Sequence, residues 1–134
     1  MTLAAAIYAH LTADAPLAAL VSTRIYPVTI PQADENAALQ PELAYALVDR
    51  AHEYTIGAKA LVMDTWSFVS VAATYDAAHQ VNDALITAMD RYRGTMGGVG
   101  GVSVQTVQIL SSKDVVDEAD LGLFIVATDF EIIY

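Results

Sequence analysis

Two strand-forming runs, Leu43 to Tyr54 and Lys59 to Ala72, flank the short segment Tyr54-Thr55-Ile56-Gly57-Ala58, and this pairing constrains the fold most. The first run alternates Leu43, Tyr45 and Leu47 against Ala44, Ala46 and Val48; the second is rich in β-branched and aromatic residues. Gly57 supplies the positive φ of a turn, so the two runs read as one long hairpin. In the second arm Val62, Trp66 and Phe68 point to one face, and Leu61, Met63, Val69 and Val71 to the other. Both faces therefore need cover. If the sheet is antiparallel and the main helix is single, the chain's own helices cover one face only. The other falls to a neighbouring subunit, which makes Leu61, Met63 and Val69 candidate interface residues.

The remaining elements follow from periodicity. Leu3, Ile7, His10 and Leu11 recur at helical spacing behind Thr2 as cap; Asp14-Ala15-Pro16 stops that helix and starts a short second one with Leu17, Leu20 and Val21 inward. Arg24 to Thr29 is a brief strand that Pro27 and Pro31 confine to an edge. The segment between Pro31 and Pro41 has no strand period and reads as a mobile loop. From Tyr75 to Tyr92 the stripe Ala78, Val81, Leu85, Met89, Tyr92 marks the main amphipathic helix, with Thr74 as cap and Gly94 after its last turn. Ser103 to Ser111 and Leu121 to Tyr134 read as final strands joined by the acidic loop Lys113 to Asp120. The expected fold is one α+β domain spanning residues 1–134: an antiparallel sheet of four or more strands, the main helix on one face, and a short helical segment at the N-terminus.

Composition narrows the function. The chain has 134 residues, enough for one hydrophobic core without staples, and no cysteine, which excludes disulfides and thiol catalysis. Every apolar run is interrupted well before the roughly 18 residues a membrane span needs, and Met1-Thr2-Leu3 lacks the basic start of a secretion signal. The expectation is a soluble protein with no membrane partner. Hydrophobic residues make up 55% and charged ones 16%, an imbalance that alanine explains in part and that otherwise favours an obligate oligomer. Six basic residues against sixteen acidic give a net charge of −10, the wrong sign for gripping phosphate backbones. The same charge suits a surface past which nucleic acid slides without being held.

No motif brings chemistry with it. Gly97-Gly98-Val99-Gly100-Gly101 follows a helix and enters a strand, the reverse of a phosphate cradle, and reads as a flexible connector. His10, His52 and His79 lack metal-ligand spacing; Asp114, Asp117, Glu118 and Asp120 lack the glycine and terminal glutamate of a calcium loop. Ser103 lacks the context of a nucleophile elbow, and Tyr45, Trp66, Phe124 and Phe130 fit core packing better than base stacking. The expectation is no enzyme, no cofactor and no metal. The alternative from another class is a small ligand-binding α+β domain or enzyme with its site under the Pro31 to Pro41 loop.

The helix Leu3 to Leu11, the strand Thr23-Arg24-Ile25-Tyr26-Pro27 with Ile30-Pro31, the strand from Pro41, the Asp64-Thr65-Trp66-Ser67 region, the helix from Tyr75 and the closing Asp129 to Tyr134 occur in an order few families share. That order resembles the tail-completion, or tail-terminator, proteins of long-tailed bacteriophages. The resemblance implies a structural virion protein, assembled in the host cytoplasm, that forms a hexameric ring at the head-proximal end of the tail. The ring stops tube polymerisation and joins tail to head. Its implied partners are further copies of itself, the tail tube protein and the head-tail connector, with DNA passing through the lumen. A head-completion protein of the neck is the nearest variant of this reading. The departures are the Gly-rich segment 94–101 and the acidic loop, which bear on loop contacts more than on the fold. The hairpin tip projects beyond the domain body and carries both charge signs, so Arg50, His52, Glu53, Tyr54, Ile56 and Lys59 are the candidate partner-binding residues. The Pro31 to Pro41 loop is the second candidate.

Overall fold

A computed structural model describes residues 1–28, 40–56, 58–115 and 122–134, with the side chains of 55 and 58–60 left aside. Among the described residues three helices and seven strands follow in the order α1 (Leu3–Ala13), α2 (Ala15–Val21), β1 (Ile25–Pro27), β2 (Glu42–Thr55), β3 (Ala58–Ala72), α3 (Tyr75–Met89), β4 (Gly94–Met96), β5 (Val102–Val104), β6 (Thr106–Val115) and β7 (Phe124–Ile133). The architecture is α+β. Five strands form one mixed sheet in the order β1-β2-β3-β7-β6, and β4 and β5 form a separate two-stranded sheet.

Local chemistry sets the helix boundaries. Thr2 Oγ1 accepts from Ala5 N at 3.2 Å, Asp14 Oδ2 from Leu17 N at 3.0 Å, and Thr74 Oγ1 from Ala77 N at 3.2 Å, so each helix opens on a side-chain oxygen that satisfies an orphan donor. The main helix ends at Met89, short of the expected Tyr92. Asp90 is already extended, and Arg91 takes the left-handed turn at φ 62 that glycine was expected to supply.

The helices cover one face of the sheet. Leu3, Ile7 and Leu11 of α1, Leu17 and Val21 of α2, and Val81, Leu85 and Met89 of α3 are buried in one core with Leu43, Tyr45, Trp66, Phe68, Phe130 and Ile132. Phe68 and Phe130 meet edge-on at 5.5 Å between ring centroids. Asn82, beside the apolar stripe of α3, closes a cycle with two in-register hydroxyls of the sheet. Its Nδ2 donates to Ser112 Oγ at 3.1 Å, the two hydroxyls share a bond of 2.8 Å, and Thr128 Oγ1 donates back to Asn82 Oδ1. Every polar atom of that buried contact has a partner.

Three expectations are corrected. The sheet is not wholly antiparallel: β1 sits at the edge as expected, but runs parallel to β2 with Ile25 opposite Leu43. The segment 28–41 is long enough for the crossover a parallel pair needs, about a dozen residues or more. Arg24 secures the pair by donating from Nε to Pro41 O at 2.9 Å. The Gly-rich segment is a small hairpin rather than a flexible connector, with Gly94 to Met96 paired to Val102 to Val104. Gly101 is required there, because a Cβ would lie 2.1 Å from Met96 O. The acidic segment begins as strand, since β6 runs through Lys113 and Asp114 to Val115; residues 116–121, like the Pro31 to Pro41 loop over 29–39, lie outside the described residues. No single described helix is long and apolar enough to cross a membrane.

Candidate functional site

The β2–β3 hairpin outruns the rest of the sheet. The last residues of the chain pair with β3 at Met63↔Ile133, and Val62 and Tyr134 exchange two backbone bonds of 2.9 Å. Outward from there Glu53↔Leu61 and Thr55↔Ala58 continue, among the described residues, as two strands alone, roughly 15 Å at the usual rise of about 3.3 Å per residue. A two-stranded extension has little of its own to hold it.

What holds it is at its root. Asp64 faces inward, in the period of Trp66 and Phe68, and is fully buried. Arg50, opposite it in register, donates from Nε to Oδ1 and from Nη2 to Oδ2, both at 2.8 Å. Trp66 Nε1 adds a bond of 3.1 Å and the Tyr134 hydroxyl one of 3.2 Å. Arg50 Cζ also lies 6.0 Å from the centroid of the Tyr134 ring. This bidentate, four-donor arrangement satisfies a carboxylate that burial removes from water. Burial, and next the Asp64 carboxylate, push the Tyr134 phenol above its ordinary 10.0, with Arg50 opposing. A raised pKa means that the neutral phenol belongs to the folded form. Its contribution is therefore complete below the unfolded pKa of about 10 and is lost as pH rises through the folded value. The stability gap between wild type and Tyr134→Phe should accordingly narrow above about pH 10, which denaturant midpoints measured from pH 8 to 11 will check.

The candidate partner residues separate into two groups. Arg50 is at the root, half-exposed and committed to Asp64. His52, Glu53, Tyr54 and Ile56 are exposed on the projection, with the His52 and Tyr54 rings parallel at 6.1 Å and Ile56 fully open to solvent. The side chain of Lys59 lies outside the described ones. Leu61, Met63 and Val69 are on the face opposite the helices, as expected: register places Glu53 with Leu61, Ala51 with Met63 and Ile133, and Ala44 with Val69 and Ala127. Leu61 is exposed and the other two half-buried. A polar band, Asp49, Thr65 and Glu131, crosses this open face beside Met63.

The three histidines stand apart. His10 Nε2 is 2.8 Å from Ala88 O and its ring meets Tyr92 edge-on; His79 Nε2 is 2.8 Å from Asp114 Oδ1, whose other oxygen accepts from the Tyr75 hydroxyl at 2.9 Å. That last group ties the start of α3 to β6 and stands exposed. Sequence reasoning missed both it and the Asp64 cluster. Only the second had a signal, an acidic residue in the inward period of an apolar strand. Among the described residues no three histidines or carboxylates gather as metal ligands would.

No protein-family model matches the chain, and no curated protein does. A solved structure does. The chain shares its fold with a chain in the structure described as "Virion of native gene transfer agent (GTA) particle", at a TM-score of 0.72 and 23% identity, over 98% of this chain and 92% of that one.

Proposed function

We propose that this chain is a structural protein of a phage-like virion. In this reading it forms a ring at the head-proximal end of a tail, ends polymerisation of the tail tube, and joins the tail to the head connector. The observation that carries it is the likeness just described, which extends over nearly the whole of both chains and concerns a component of a virion. The order of sequence elements adds the finer assignment to the tail terminator, and with it six copies to the ring. In this reading the chemistry is contact alone: the buried side chains of Asp64, Asn82 and Thr128 are engaged with neighbours in the fold, while the buried Ser70 hydroxyl has no hydrogen-bond partner among the described residues. The open face carrying Leu61, Met63 and Val69 meets other subunits, and the projecting tip from His52 to Lys59 meets a neighbour along the tail axis. A net charge of −10 lets DNA through the lumen without being gripped.

Deleting residues 55–58 and closing the strands with a tight turn should leave the core intact, because no described core residue lies in that segment. Particles made with that chain should show unjoined heads and tails, or tails of uncontrolled length, in negative-stain micrographs. Normal particles would remove the tip from the reading. Normal particles after deletion of the whole gene would end it.

A further inference from the structure

Each lateral margin of the main sheet ends on an apolar pair at a break in strand register. Leu47, Trp66, Phe130 and Ile109 form one row across β2, β3, β7 and β6, and register shifts follow both Leu47 and Ile109. The middle of the row is buried, yet its ends are not: Leu47 and Val48 are 42% and 62% exposed on the β2 margin, Ile109 and Leu110 38% and 52% on the β6 margin. Among the described residues β1 covers the outer side of β2 only along Leu43 to Tyr45. On the other margin Arg91 N donates to Val107 O and Ile109 N to Asp90 Oδ1, and among the described residues β6 has no outer partner strand.

Charge divides the same way beside this row, although β6 also presents the exposed Asp114, which is engaged with His79. Arg24 and Arg50 are engaged within the fold. Arg91 and Lys113 are exposed on the β6 side, and neither has an ion-pair partner among the described residues. The β2 side presents exposed Asp49 and Glu53. Asp49 shares a row with Gln108 through Thr65 and Glu131, one step from the Val107 carbonyl that Arg91 holds. Asp49 and Arg91 thus stand at about one height along the strands, whereas Lys113 lies in the row of Ala44, and Glu53 lies beyond the start of β6. Direction agrees too. Three successive antiparallel pairings make β6 antiparallel to β2, so copies repeated by rotation about an axis near the strand direction bring unlike margins together with strands opposed.

We propose that the β2 margin of one copy seats against the β6 margin of the next, head to tail, with Leu47 and Val48 meeting Ile109 and Leu110 and with Asp49 beside Arg91. The occupant is a second copy because one chain carries both halves of the contact at matching height with opposite charge. A contact between unlike surfaces propagates and closes into a ring, whereas a two-fold contact stops at a dimer. The inference rests on the ring reading above and gives that ring its direction of assembly.

The chain has no cysteine, which makes the test direct. Val48→Cys and Leu110→Cys chains are treated, separately and mixed, with a short bis-maleimide, and products are sized on denaturing gels. The expected result is monomer from each single variant, dimer from the mixture, and from the double variant a ladder ending in a fixed closed species. Arg91→Glu should suppress the ladder at least tenfold, and adding Asp49→Lys should restore it. Dimers from either single variant, or no product from the double variant, would overturn the proposal. Failure here with aberrant tails on gene deletion leaves the virion function standing; a ladder with normal particles on gene deletion leaves the margin contact and removes the function.

Discussion

A Leu85→Asp chain is expected not to accumulate as a folded protein. Leu85 is fully buried on the inward stripe of α3 between Val81 and Met89, in the core that also holds Phe68 and Phe130. Truncating such a leucine typically costs about 2–5 kcal/mol, and a carboxylate put in its place has no cation within the surrounding apolar side chains. It must stay charged without a partner or take up a proton at a further cost. Together these losses approach or exceed the total stability of an ordinary domain, about 5–15 kcal/mol. Thr87→Asp, on the exposed side of the same helix, should stay within about 1 kcal/mol of wild type. Soluble yield and a cooperative thermal melt are the readouts; a soluble, cooperatively melting Leu85→Asp chain would refute the placement of α3.

Arg50→Ala should be the most destabilising single change among the candidate partner residues. It removes two of the four bonds to Asp64 and all of the positive charge beside it, leaving a buried carboxylate with only Trp66 and Tyr134 as donors. Breaking a buried pair from one side costs about 3–5 kcal/mol. The Arg50 side chain is 40% exposed, and screening places the loss near the lower end, about 3 kcal/mol or about 10 °C in Tm. Asp64→Asn keeps size and an acceptor and releases Arg50 to water, so it should cost less, about 1–2 kcal/mol. The combination Arg50→Ala with Asp64→Asn should be more stable than Arg50→Ala alone, because no bare charge remains inside. Equal melting of Arg50→Ala and wild type would mean that the cluster does not hold the root.

The hairpin, the inward and outward sets of its second arm, and all three helix caps were legible because each depends on neighbours in sequence. Leu61, Met63 and Val69 fell on the open face because alternation along a strand is a local property. Parallel pairing of β1 with β2 was not legible, since Ile25-Tyr26-Pro27 reads the same in either direction and the choice rests on where the chain returns. The small β4–β5 sheet was hidden by glycines that usually signal a connector. Among the site residues, Arg50 was chosen for its position near the tip and found engaged at the root. Counting back equally from Thr55 and Ala58 would pair it with Met63; the register shift between Glu53 and Thr55 moves it to Asp64, and only the fold shows that Tyr134 and Trp66 come to the same carboxylate. Asn82 is polar beside an apolar stripe, and its two hydroxyl partners arrive from strands that follow it in the chain.

That cycle of Asn82, Ser112 and Thr128 acts as an indexing pin. Apolar packing alone would tolerate a helix slid along its groove by a turn, about 5.4 Å. Such a slip would strand the buried Asn82 amide and Thr128 hydroxyl without partners, so one axial setting of α3 satisfies them. Both ends of the helix are keyed to the same strand, His79 reaching Asp114 and Arg91 reaching Val107. The axial setting of α3 and the position of β6 are therefore fixed together, so β6 meets whatever lies beside it as a ruler with its marks already set.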